Sequence, residues 1–304
     1  MVVVALFSVT SAKAQHSQED RRIPLADPFI LLHDGVYYAY GTHNRNGIEF
    51  YTSNDLKKWH YGGVALHKND SYGNKWFWAP EVYHINGKFY MYYTAEKHIC
   101  VATSSSPTGP FVQQVQEPML PSNNIIDNTL FIDDDGTPYL LYVVINKGFT
   151  IYVAELNSDL TTIKPNTATP CIRPRQRWEK LEGKVNEGPS VIKYKGRYFL
   201  LYSGNGYHSQ MYGIGCAVAD NIRGPWKKLP DNPILQLPSG LYGTGHGAPF
   251  YDKKGNMYYV FHAHNNSEKV HPRYMAITRM AIKRSGKGYR PVISSKYFVP
   301  KTKR

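Results

Sequence analysis

Cysteine is scarce in this 304-residue chain, and its number is odd: Cys100, Cys171 and Cys216 are the whole complement. Three thiols exclude a fully paired disulfide framework, and their spacings fit no zinc-ligand pattern. Cys100 and Cys216 fall in apolar, strand-like stretches, where a free thiol packs as a small hydrophobe. Long apolar runs are missing too. The run at residues 2–10 is too short to span a bilayer, so no membrane insertion is expected. It is followed by Ala12-Lys13-Ala14, a small-x-small sequence of the kind a signal peptidase cuts. Residues 1–14 therefore read as a signal peptide and residues 15–304 as one secreted or periplasmic domain. Helical periodicity is absent, and no helix carries a basic stripe. Acidic residues are outnumbered, 23 Asp and Glu against 36 Lys and Arg, for a formal charge of +13. The basic clusters are short (Lys57-Lys58, Lys227-Lys228 and the tail from Lys301), which speaks against nucleic acid as a partner. An acidic polysaccharide or a merely soluble basic surface is left. Tyr, at 25 against 12 Phe, suits exposed strands and surfaces that grip polar ligands by their faces.

What is present is a repeat. A glycine followed by an aromatic-rich apolar run occurs five times: GVYYAYGT from Gly35, GKFYMYYTA from Gly87, GTPYLLYV from Gly136, GRYFLLYSG from Gly196 and GNMYYVFHA from Gly255. Before each glycine stands another short apolar strand and a polar turn, as in DPFILLHDG and PSVIKYKG, so each copy reads as a hairpin. A third strand follows in every copy. Units of three or four antiparallel strands at this spacing predict an all-β, five-bladed β-propeller. The blades are expected at about 23–70, 75–120, 123–170, 183–235 and 242–300, with Pro165 to Lys184 as a longer connection.

In a propeller the first strand of each blade lines the central channel. Counting back nine residues from each turn glycine gives Ala26, Trp78, Asp127, Glu187 and His246, with Asp27 one step further on in the first blade. A ring kept only for folding should be small or apolar, because buried charge is costly without partners. Three carboxylates and an aromatic around one cavity fit glycoside cleavage, which needs one acid to protonate the leaving oxygen and one carboxylate to activate water or attack carbon. A third carboxylate can raise the acid's pKa. The other chemistry open to clustered acids is a hard-cation site.

At these residues the chain resembles glycoside hydrolase family 43, from Ile23 to about Ile282, through ADPFILLHDGVYYAYGT, TSNDLKKW, WAPEV, IDNTLFIDDDGTPYLLY, NEGPSVIKYKGRYFLLYS and GTGHGAPF in order. The resemblance implies a five-bladed propeller hydrolysing arabinose- or xylose-containing glycans with inversion, and no required cofactor. It implies Asp27 as the general base, Glu187 as the general acid, and Asp127 as the residue that raises the acid's pKa and orients it. It also implies Trp78 beside the sugar, Arg273 on a sugar hydroxyl, and His246 facing a channel ion or water, which would make a structural Ca²⁺ near His246 the one metal to look for. Glu182 lies close to Glu187, but only Glu187 keeps the repeat offset and the following Gly-Pro. Thr42 to Gly47, His67 to Lys75 and Tyr207 to Tyr212 are expected to rim the mouth and choose the sugar. The substrate is expected to be a plant oligo- or polysaccharide, most simply an α-L-arabinofuranoside cleaved from the chain end. β-Xylosidase, endo-arabinanase and galactan-cleaving activities are the alternatives, with a non-catalytic binding propeller behind them.

Overall fold

The computed structural model describes residues 20–286 and 288–303, so the leader at 1–14 lies outside the described residues. Five antiparallel sheets follow one another along the chain. Blade I is built from Ala26–His33, Val36–Thr42, Gly47–Ser53 and Lys58–His67. Blade II has Trp78–Ile85, Lys88–Ala95 and His98–Ser104, and blade III has Ile125–Ile132, Pro138–Ile145, Phe149–Glu155 and Thr169–Ile172. Blade IV opens with Asn186–Tyr194, Arg197–Gly204 and Gly213–Ala219, whose outer edge takes Lys227–Lys228 and Leu235–Gln236. Blade V has Gly245–Tyr251, Met257–Ala263, Tyr274–Ser285 and Gly288–Phe298. The expected five-bladed propeller is thus the fold, with the blades close to the expected spans, except that Thr169–Ile172 runs past the third and makes part of the expected connection Pro165 to Lys184 the outer strand of that blade. Lys301–Thr302 departs from them: it lies beyond the fifth span and pairs in parallel with Lys58 and Trp59 on the outer edge of blade I.

The hairpin turns come in two lengths. In blades I, II and IV the pairs His33↔Val36, Ile85↔Lys88 and Tyr194↔Arg197 leave only Asp34-Gly35, Asn86-Gly87 and Lys195-Gly196 between strands. Both residues of each turn have positive φ (46° and 73° for Asp34-Gly35), the type I′ geometry whose twist matches the strands. In blades III and V the pairs Ile132↔Pro138 and Tyr251↔Met257 enclose longer turns, Asp133 to Thr137 and Asp252 to Asn256.

Strand alternation sends apolar side chains to both faces of each blade, and one core cluster fills each gap between neighbours. Tyr40 and Phe50 meet Phe77 and Met91 between blades I and II; Tyr92 and Val101 meet Leu130 and Tyr142 between II and III. Leu141 and Val143 meet Leu200 and Tyr202 between III and IV, and Phe199 and Leu201 meet Tyr259 and Phe261 between IV and V. Ile30 and Tyr37 meet Val260 and Ile277 where V returns to I. The first and last described segments meet at that gap: Met275 N–H donates to the Ile23 carbonyl and Thr302 N–H to that of Arg21. Many tyrosines lie in these layers instead of on the exposed strands their number suggested. Tyr92 and Tyr259 are buried and keep their hydroxyls bonded to the carbonyls of Leu160 and Gly247, which is what lets a polar tip enter a core. Cys100 and Cys216 are buried and free, and Cys171 is free and half-buried.

Candidate active site

Each first strand carries a bulge at its channel end, and one residue of each bulge is left-handed: Asp27 (φ 49°), Ala79 (45°), Asp127 (52°), Gly188 (54°) and His246 (40°). Positive φ is uncommon outside glycine, with Asp and His among the more tolerant residues. Five such positions at one mouth mark a constrained site. The residue before each bulge pairs with the position seven past the turn glycine: Ala26↔Thr42, Trp78↔Thr94, Ile126↔Val143, Glu187↔Ser203 and Gly245↔His262. This corrects the offset counted from the sequence. Asp27, Asp127 and His246 are the equivalent positions, and Glu187 shares its place with Trp78. The longer turns of blades III and V add one residue to the count and produced the apparent alignment of Asp127 with Glu187.

A rule links the blades. The bulge N–H of each blade donates to the side chain seven past the turn glycine of the blade before it. Ala79 N–H goes to Thr42 Oγ1 at 2.9 Å, Asp127 N–H to Thr94 Oγ1 at 3.0 Å and His246 N–H to Ser203 Oγ at 2.7 Å. Asp27 N–H goes to His262 Nδ1 at 3.1 Å. Blade III has Val143 at that position, which accepts nothing. The Gly188 N–H turns instead to Asp127 Oδ2 at 3.1 Å. Gly188 has little latitude here, because a Cβ on it would lie 2.8 Å from His246 Cδ2.

The three predicted acids are buried and share one cavity of about 520 Å³. Arg273 Nη1 donates to Asp27 Oδ1 at 2.9 Å, and His262 Nδ1 and His246 Nδ1 lie 3.2 and 3.3 Å from the same oxygen. Burial opposes ionisation of Asp27, but the Arg273 charge, with His246, outweighs it and holds the carboxyl well below the usual range. Glu187 moves the other way. Burial, with the nearby Asp27 charge, pushes it up to about 7, although Tyr212 donates to its Oε1 at 2.7 Å. Asp127 is also pushed up to about 7, by burial against the pull of His246 and with repulsion from Glu187 and Asp27. Burial and the Arg273 charge push His262 down to about 3, so its ring is neutral. One carboxylate is therefore ionised throughout the ordinary pH range, and the pair beside it holds protons up to neutrality. Environments that drive carboxyls apart in this way separate an acid from a base.

The other predicted residues fall as follows. Trp78 lines the cavity, with Phe77 behind it in the core and Trp76 exposed. Arg273 lines it too, its guanidinium engaged with Asp27 and lying over the Tyr207 ring at 4.8 Å. His246 reaches it with Nδ1 turned to Asp27 and, at 3.8 Å, to Asp127. Among the described residues no three His, Cys, Asp or Glu side chains are grouped to hold a metal. His246 offers a nitrogen already facing carboxylates, not the oxygen set Ca²⁺ prefers. Glu182 is outside the cavity and accepts from the Ser209 hydroxyl. Of the expected rim segments, Thr42, His43 and Tyr207 reach the cavity wall, whereas His67 to Lys75 does not; Lys97, Phe149 and the His271-Pro272 pair do. Sequence reasoning missed Tyr212 as the partner of Glu187, His262 as that of Asp27, and Glu81, whose carboxyl accepts from Tyr83 and is pushed by burial up to about 8. A signal for the ring was present. Four of the five positions seven past the turn glycine are polar (Thr42, Thr94, Ser203 and His262) within strands that are otherwise largely apolar.

A propeller whose axial mouth holds carboxyls of opposed proton affinity beside a tryptophan belongs to the class of propeller glycosidases. The chain is a member of Glycosyl hydrolases family 43, whose profile matches residues 22–287, a family of inverting glycoside hydrolases. It is 28% identical over 300 residues to an arabinoxylan arabinofuranohydrolase of Paenibacillus polymyxa, a match covering 80% of this chain and 45% of that protein. It is 26% identical to a β-D-galactofuranosidase of Aspergillus niger, covering 86% of this chain and 80% of that one. Among solved structures it is similar to an endo-1,4-β-xylanase of Bacteroides thetaiotaomicron, with 46% identity, a TM-score of 0.89, and 93% and 98% of the two chains covered. The chain thus spans less than half the length of the Paenibacillus relative.

Proposed function

We propose that the chain hydrolyses terminal α-L-arabinofuranosides of plant cell-wall glycans with inversion. The observation that supports this most directly is the opposed tuning of Asp27 and Glu187 in one cavity. Ionised Asp27 takes a proton from a water molecule as that water attacks the anomeric carbon. Protonated Glu187 gives its proton to the departing glycosidic oxygen, and attack from the face opposite the leaving group inverts the configuration. Asp127, anchored by the Gly188 N–H, stands beside Glu187, and repulsion between the two carboxyls opposes their ionising together, so the pair retains a proton up to neutrality. Arg273 and His246 hold Asp27 ionised, and His262 fixes its backbone by accepting the Asp27 N–H. Trp78 offers an apolar face to the sugar. A β-xyloside is the second reading, favoured by the similarity to the Bacteroides xylanase. Secretion after removal of residues 1–14 belongs to the same proposal, and N-terminal sequencing of the mature protein tests it.

The deciding experiment compares nitrophenyl α-L-arabinofuranoside, β-D-xyloside and β-D-galactofuranoside with arabinan and arabinoxylan. NMR follows the anomer first released. Preferential arabinose release as the inverted anomer is expected. Xylose release in its place transfers the assignment to the second reading, and no turnover on any of these glycans overturns the catalytic reading.

A further inference from the structure

We propose that Trp76, Lys75 and Lys97 form a second carbohydrate site on the rim of the cavity, one that takes a sugar bearing a carboxylate, a uronic acid. The proposal deepens the glycosidase reading by naming the class of glycan on which the cleaved sugar is carried.

Trp76 is a large apolar side chain that folding leaves half uncovered: 46% of it is exposed, and its backbone is left-handed at φ 60°. For a bulky residue that conformation is a genuine outlier, and outliers of this kind concentrate at ligand clamps. The indole is not isolated. It stacks on Trp78 at 5.7 Å and 22°, and Trp78 lines the catalytic cavity. The two rings form one aromatic surface running from the carboxyls out to solvent.

Two ammonium groups sit on this surface. Lys75 Nζ is 4.6 Å and Lys97 Nζ 5.8 Å from the Trp76 ring centroid, and Lys97 also reaches the cavity wall. The carboxylate best placed to neutralise them is directed elsewhere, since Glu96 Oε1 accepts from the Asn74 N–H at 3.1 Å. The Glu96 N–H in turn donates to the Lys75 carbonyl at 3.1 Å, tying the two lysine-bearing segments together. Among the described residues neither lysine is paired with an acid within 4.0 Å. A half-exposed indole with unneutralised cations over its ring matches the two halves of a uronic acid: a carboxylate that draws the ammonium groups off the ring, and an apolar C–H face that takes their place on it. A neutral pentose would use the indole and leave the ammonium groups idle. The formal +13 charge of the chain adds a general attraction for polyanionic glycans.

The test measures binding without turnover. Calorimetry in low salt would compare a glucuronosyl-substituted xylo-oligosaccharide with the same oligosaccharide lacking the acid, and with dextran sulfate as a plain polyanion. The wild type should prefer the acidic oligosaccharide by roughly tenfold, and Lys75→Gln/Lys97→Gln should reduce that preference to near unity. Trp76→Ala should weaken both oligosaccharides. Equal binding of acidic and neutral ligands by the wild type would overturn the proposal. So would a preference that survives the double substitution, or binding of dextran sulfate as tight as that of the acidic oligosaccharide, which would reduce the effect to bulk charge. A chain that cleaves no glycoside still reports on this site, whereas an active enzyme without acidic preference defeats the site alone.

Discussion

Replacing Val143 with threonine should alter the chemistry of a carboxyl on the neighbouring strand, that of Asp127. Val143 is fully buried beside Ile126, and threonine is nearly isosteric with it. The new hydroxyl would occupy in blade III the place that Thr42, Thr94 and Ser203 occupy in their own blades. It would accept the Gly188 N–H and release Asp127 Oδ2, whose bond to that N–H is 3.1 Å long. A hydrogen bond to a charged group contributes about 1.5–3 kcal/mol, or a factor of roughly 10 to 100 in the acid dissociation of Asp127. Asp127 already sits at about 7, so near neutral pH the variant would hold it protonated. Glu187 would lose a neighbouring charge and give up its own proton more readily. In the pH profile of kcat/KM the alkaline limb should move to lower pH. At pH 7, turnover of substrates with poor leaving groups should fall by roughly tenfold, and of nitrophenyl glycosides by much less. The hydroxyl is satisfied, so stability should change by only about 1 kcal/mol. Val143→Ala is the control: it costs roughly 2 kcal/mol of packing but adds no acceptor, so its alkaline limb should stay in place. A folded Val143→Thr protein with an unmoved limb would refute the reasoning.

Glu187→Ala should lose about 100- to 10,000-fold on natural glycans and much less on nitrophenyl glycosides; equal losses on both would count against its role as acid. Asp27→Ala should abolish turnover of both substrates in the same assay, because no other carboxylate in the cavity is held ionised. In the wild type, kcat/KM should decline as pH rises through about 7, where Glu187 loses its proton, and stay level well into the acid range, since Asp27 is held ionised below the usual carboxylate pKa; a steep acid limb near 5 would contradict this. Glu81 makes a prediction about stability. Its folded pKa of about 8 lies above the ordinary glutamate value of 4.5, so its contribution is complete below 4.5 and is lost as pH rises through 8. Urea midpoints should fall between pH 5 and 8, and Glu81→Gln should flatten part of that decline.

The blades were legible because each carries its own turn glycine and aromatic strand, and strand alternation needs nothing beyond the local sequence. The acids were legible because Asp27, Asp127 and Glu187 interrupt apolar runs where a folding residue would not be charged. Their register was not. Offsets were counted from the far end of the strand, where Asp133 to Thr137 and Asp252 to Asn256 make longer turns than Asp34-Gly35, and this displaced Glu187 relative to Asp127. The partners were harder still. His262 of blade V reaches Asp27 of blade I, and no spacing within one repeat encodes a contact between two; Tyr212 reaches Glu187 within blade IV but from the loop before its third strand, outside the repeated pattern. Trp76 stood beside Trp78 in the sequence, yet only its backbone conformation places it outside the core.

The closure of the ring bears on how the protein is made. Arg21 and Thr302 are 281 positions apart and hydrogen-bond to each other, and the outer edge of the first blade is completed by Lys301–Thr302. A ribosome releases blade I long before the segment that covers it. Until then the strand Lys58–His67 presents an unpaired edge, and such an edge is a template for pairing with other chains. Its sequence carries Lys58, His60 and the bulge around Gly62-Gly63, features that discourage pairing with a stranger. The first blade is thus equipped to wait for its last strand.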